Sequence, residues 1–178
     1  VKPRAAALLA AVAALIAAVM TALPWVSLES AGLPMSWAGL GFYYGEYLMP
    51  SVPSIVPLGW AVVFVAFEAF VALGVALFSG PAQAQLRRWL FLGLAGLAAA
   101  VAVVLVVAVL VPQMLYGDMP GHLADAVGGI ERSEVHMGRD VLKVPAILGT
   151  AFWLLVCSGV ALLGFRAHAE RGEQWESA

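Results

Sequence analysis

Charge is scarce in this chain. Asp, Glu, Lys and Arg make up 11% of its 178 residues, against roughly 25% in soluble domains. A soluble fold of this size could not cover its surface with so few charges. A bilayer removes that requirement, because lipid tails solvate apolar side chains. Cysteine is scarcer still: Cys157 is alone, which excludes an intrachain disulfide and any multi-cysteine metal or iron–sulfur site within the chain. The nine basic residues form no stripe and the net charge is −2, so nucleic acid is not an expected partner. Histidine occurs only at His122, His136 and His168, outside every long apolar run. The chain therefore offers no His pair at membrane depth for a haem, and no cofactor is expected. There is no G-x-S-x-G, no H-E-x-x-H and no phosphate loop, so the chain is not expected to be an enzyme.

What is present is apolar length. Residues AVILMFWYC account for 63% of the chain, above the roughly 45–50% usual even with Gly included. A helix needs about 20 apolar residues to cross the hydrocarbon layer. Four stretches qualify: Ala5 to Leu23, Leu58 to Phe78, Leu90 to Val111 and Pro145 to Phe165. In lipid the backbone must satisfy its own hydrogen bonds, which favours helices for runs of this length. The expected fold class is an all-α integral membrane protein, a four-transmembrane-helix bundle with two extracytoplasmic loops and no second domain. Val1-Lys-Pro-Arg4 before an apolar run resembles the start of a signal peptide. The run exceeds an ordinary h-region and is read as a span that also directs insertion.

The distribution of Lys and Arg sets the expected orientation. Lys2, Arg4, Arg87, Arg88, Arg166 and Arg171 fall on one side. Arg132, Arg139 and Lys143 fall on the other, diluted in an acidic loop. Both termini are thus expected on the cytoplasmic side of a bacterial inner membrane, with a turn around Ser79-Gly80-Pro81 and a frayed polar tail over 166–178. Outer loop one, 24–57, carries Trp37, Phe42, Tyr43, Tyr44 and Tyr47, an expected docking surface for protein or lipid. Outer loop two, 112–144, is acidic and could steer a basic extracytoplasmic protein. Short helices are expected over about 120–127 and 130–141. Trp25, Trp60 and Tyr116 at outer span ends, and Trp89 at an inner end, read as aromatic belts.

Glu68 is the residue with the most to explain. An acid at the bilayer centre costs about 2.5–3.5 kcal/mol on insertion scales, and no other span supplies a Lys, Arg or His. Three readings stand: a protonated acid hydrogen-bonded within the bundle, with Cys157 and Ser158 at similar depth; a contact to a polar or cationic group of another subunit; a proton or cation site. Small residues repeat every four positions at Ala6, Ala10, Ala14 and Ala18 and at Gly96 and Ala100, and Gly149 and Gly164 bracket the fourth run; small residues at such spacing let membrane helices approach closely. His122 with Asp125 and His136 with Asp140 have helical i,i+3 and i,i+4 spacing and could hold a metal with Glu134, although they match no specific metal motif, and no metal site is expected.

These readings rank three functions. The first is a non-catalytic accessory or scaffold subunit of a larger membrane complex, such as a respiratory or photosynthetic energy-transducing assembly, whose partners are other integral membrane subunits and the bilayer. The second is a proton- or cation-coupled transport component using Glu68. The third is an outer-face enzyme using His122, Asp125, His136 and Asp140. In topology the chain resembles the claudin-type tetraspans, with four spans, a sizeable first outer loop and Trp37 within it. The paired loop cysteines of that group are missing, so the resemblance implies shared architecture only.

Overall fold

The computed structural model describes residues 3–29, 33–45, 55–80, 83–117, 119 and 139–176. It is mostly helical. In chain order come α1 (Pro3–Met20), β1 (Pro24–Ser27), β2 (Met35–Ala38), β3 (Tyr43–Gly45), α2 (Gly59–Phe78), α3 (Ala84–Leu110), the single turn α4 (Gln113–Tyr116), a 3-10 turn (Arg139–Val141) and α5 (Val144–Glu176). Four helices are long and apolar enough to cross a membrane: α1, α2, α3 and the 144–167 part of α5. The chain is a multi-pass membrane protein. Its residues fall into two compact units, one of 1–18, 61–103 and 150–178, the other of 19–60 and 104–149.

The first unit has the polarity of a protein solvated by lipid. On α1, Ala6, Ala10 and Ala14 are fully buried, whereas Leu8, Leu9, Val12 and Leu15 are exposed. Water would favour the reverse, because a large apolar side chain gains most from burial. Lipid tails are as apolar as Leu, so helices associate through close backbone approach over small residues. The alanine repeat is thus a packing face over its first three positions, with Ala18 half-buried. Gly96 and Ala100 lie on an exposed face of α3 instead; the buried small residues of that helix are Ala95, Ala98, Ala102 and Ala108. α3 and α5 meet closely within this unit. The Ser158 hydroxyl donates to the Ala95 carbonyl at 2.8 Å. Gly164 lies so close to Phe91 that an added Cβ would come within 2.8 Å of the ring.

The second unit contains what the apolar runs do not predict: a three-stranded antiparallel sheet in order β1-β2-β3 within the segment between α1 and α2. Ser27 pairs with Ser36, and Trp37 with Tyr43. The β2–β3 turn passes through Gly41 at φ +86°, a conformation most readily adopted by Gly. Segments remote in sequence close on this sheet. Val26 forms a bridge with Leu142, the Lys143 amide donates to the Trp25 carbonyl at 2.9 Å, and the Val56 amide donates to the Leu115 carbonyl at 2.9 Å. The Gly59 amide donates to the Gly39 carbonyl at 2.8 Å, an approach so tight that a Cβ on Gly59 would sit 2.6 Å from the Gly39 backbone. Trp25, Trp37, Ile55, Leu115, Tyr116 and Met119 are all essentially without solvent exposure. They form the core of this unit.

The helix boundaries differ from the apolar runs at three places. α1 ends at Met20 rather than Leu23, and Ala22 and Leu23 turn through i→i−3 bonds to Val19 and Met20 before Pro24, whose ring disfavours helix in the residue ahead of it. α3 starts at Ala84, and α5 runs on to Glu176 where a frayed tail was expected. The expected helix over about 120–127 lies outside the described residues, as does most of 130–141, whose last residues form the 3-10 turn Arg139–Val141.

Candidate functional site

Glu68 lies midway along α2. One side of this helix presents Phe64, Phe67 and Val71, all exposed, and the other buries Val62, Val65, Ala69 and Ala72. Glu68 sits on the shoulder between them and is half-buried. Ser158 and Cys157 do not reach it. The Ser158 hydroxyl is committed to Ala95, and Cys157 is buried as a free thiol. Among the described residues Glu68 has no hydrogen-bond or ion-pair partner. An acid on a surface of this chemistry carries an insertion cost that an external partner would offset.

The aromatics of the 24–57 segment divide into two groups. Trp37 is fully buried, with its ring 5.4 Å from that of Tyr43 and tilted by 49°. It is a core residue and takes no part in an exposed surface. Phe42 and Tyr44 are 53% and 46% exposed, so they can form a docking surface. The Tyr44 hydroxyl donates weakly to the Ala22 carbonyl at 3.5 Å. Tyr47 lies outside the described residues. The aromatic-belt reading divides in the same way. Trp60 and Trp89 are exposed, as belt residues would be, whereas Trp25 and Tyr116 are buried. A sheet that the runs did not reveal encloses Trp25, whose indole donates to the Met20 carbonyl at 3.3 Å.

Of the acid and histidine constellation, only Asp140 is described; His122, Asp125, Glu134 and His136 lie outside the described residues. No group of three metal-ligating side chains occurs among the described residues. Asp140 acts on another group. Burial, reinforced by its carboxylate, pushes the Tyr116 phenol up from 10.0 to about 12. The folded state therefore prefers neutral tyrosine more strongly than the unfolded chain does. The resulting stability is complete below pH 10 and is lost as pH rises to about 12. Tyr116→Phe should flatten this alkaline decline in unfolding titrations and remove a step near pH 12 from the tyrosinate absorbance. An unchanged alkaline profile would contradict the assignment.

Lys143 and Glu29 meet at 3.7 Å with both side chains largely exposed. A pair of this kind contributes little to stability; the adjoining backbone bond from Lys143 to Trp25 is what ties the two loops. The chain matches no protein-family model, and comparison with curated proteins and with solved structures yields no match.

Proposed function

We propose that this chain is a non-catalytic accessory subunit of a larger membrane complex, docked through the Glu68 side of α2 against a transmembrane helix of another subunit. The observation that carries the reading is the half-buried carboxyl of Glu68, which has no partner among the described residues and adjoins exposed Phe64, Phe67 and Val71. A partner helix bearing a cation or a strong hydrogen-bond donor at mid-membrane satisfies both features. It covers the aromatic surface by packing, and it lifts the cost of the acid. A second copy of this chain is a poorer occupant, because its apolar runs offer no cation at that depth and pairing would set acid against acid. The four helices form the bundle of this subunit. The excess of Lys and Arg at one set of helix ends supports an orientation with both termini and the segment joining α2 to α3 on the cytoplasmic side of a bacterial inner membrane. Exposed Phe42 and Tyr44 give the outer loops a further contact surface.

Site-specific photocrosslinking in native membranes tests the docking. A crosslinker replacing Phe67 should trap one distinct integral membrane polypeptide. The same group replacing Phe152, which is exposed on α5, serves as the comparison. Equal labelling from both positions, or adducts only to lipid or to this chain itself, would reject the proposal.

A further inference from the structure

We infer that the cleft between the start of α3 and the later turns of α5 binds the phosphate headgroup of an anionic phospholipid. The cleft has a volume of about 140 Å³ and is lined by Gln85, Arg88, Trp89, Leu92 and Phe165. Its chemistry changes along α3. Gln85 and Arg88 come before the apolar run that starts at Leu90, Trp89 stands at the boundary, and Leu92 lies within the run. A phospholipid has the same order, polar at one end and apolar at the other. Indole rings favour the headgroup boundary, and Trp89 is 62% exposed there.

The Arg88 guanidinium lies over the Phe165 ring, 5.5 Å from its centre. A guanidinium held over an aromatic ring keeps N–H donors for other partners, and its fork matches two phosphate oxygens. Arg88 has no carboxylate partner among the described residues. The preceding residue adds a second observation. The Nε of Arg87 is shielded from solvent and has no hydrogen-bond partner among the described residues, which is costly for a cationic group unless an acceptor is supplied. Arg166, exposed next to Phe165, adds positive charge at the same end. Arg88 in a half-apolar cleft at a membrane boundary, with Arg87 and Arg166 next in sequence to its lining residues, fits a lipid phosphate better than a zwitterionic headgroup, whose ammonium this charge would repel. Basic pockets between transmembrane helices recognise anionic headgroups by this chemistry.

The test uses the full-length chain, delipidated in mild detergent, with native mass spectrometry as the readout. Dioleoylphosphatidylglycerol should be retained in preference to dioleoylphosphatidylcholine, and millimolar inorganic phosphate should not displace it. Arg88→Gln should weaken retention of the anionic lipid by roughly tenfold or more. Gln85→Glu, at an exposed position where folding is not at risk, should do the same by placing a carboxylate against the phosphate. Equal retention of the two lipids, or undiminished retention by a folded Arg88→Gln or by Gln85→Glu, would overturn the inference. Full displacement by inorganic phosphate would overturn it as well, by identifying a site for a free anion.

Discussion

Trp25→Ala should destabilise the 19–60 and 104–149 unit by about 3–5 kcal/mol, the range for removing a fully buried aromatic side chain. Several contacts converge on this residue. Its ring is completely buried and lies flush against the backbone at Gly39. Its indole N–H donates to the Met20 carbonyl, and its own carbonyl receives the Lys143 amide. Truncation leaves a void beneath the sheet, and Gly39 has no side chain to fill it. The backbone bond to Lys143 survives the substitution in principle, but only while β1 stays in place. The loss should therefore be cooperative: amide protection of β1–β3 and of 139–143 should fall together. The 61–103 and 150–176 segments should keep theirs, because partial unfolding follows compact units. Trp25→Phe retains most of the ring and gives up the hydrogen bond. It should cost nearer 1 kcal/mol. Hydrogen exchange on the two variants in bicelles reads this directly. A loss below about 1.5 kcal/mol for Trp25→Ala would show that the ring does not organise this unit.

How far such features can be read from residues alone depends on the range of the interactions behind them. The four long helices are legible because each carries an apolar run near or above the length that a bilayer demands. Their ends are less so. Hydropathy marks the hydrocarbon layer, while a helix stops where its backbone finds another partner. Hence α3 begins at Ala84 through Gln85-Leu86-Arg87-Arg88, and α5 continues through Arg166-Ala-His-Ala-Glu170, segments of helix formers that are polar but not helix-breaking. The sheet is illegible for the opposite reason. Its strands are three or four residues long, too short to show alternation, and all four residues of β2 are buried, so no polar-out pattern exists to be read. The burial of Trp25, Trp37 and Tyr116 follows from that hidden sheet. An aromatic residue at the end of an apolar run looks the same in sequence whether it faces headgroups or closes a core. Glu68 stands out in any reading of its run, but its position on the shoulder of α2, out of use by Ser158, required coordinates.

Glu68→Leu is expected to have two effects of opposite sign. In the isolated chain it should favour membrane insertion of the α2 segment by about 3 kcal/mol, since the acid costs about 2.5–3.5 kcal/mol at a helix centre and Leu is mildly favourable. Translocon-dependent insertion of a reporter carrying residues 58–78 should measure that gain. In native membranes the same substitution should abolish the Phe67 crosslink to the partner helix, because the interaction that selects the partner is gone while the chain itself is better inserted. Glu68→Gln separates the roles further. An amide still accepts and donates hydrogen bonds but carries no charge. It should retain a partner held by hydrogen bonding to a neutral acid and lose one held by a cation. The combination matters more than either result. A residue kept only for the internal structure of this subunit would be expected to weaken the isolated fold when replaced, because its hydrogen bonds would be lost. Here Glu68 makes none among the described residues, so replacement should strengthen insertion and weaken assembly together. If Glu68→Leu left the crosslink intact, the carboxyl would not be the docking determinant. If it reduced insertion or unfolded the purified chain, the acid would have an internal partner, and the accessory-subunit reading would lose the observation on which it rests.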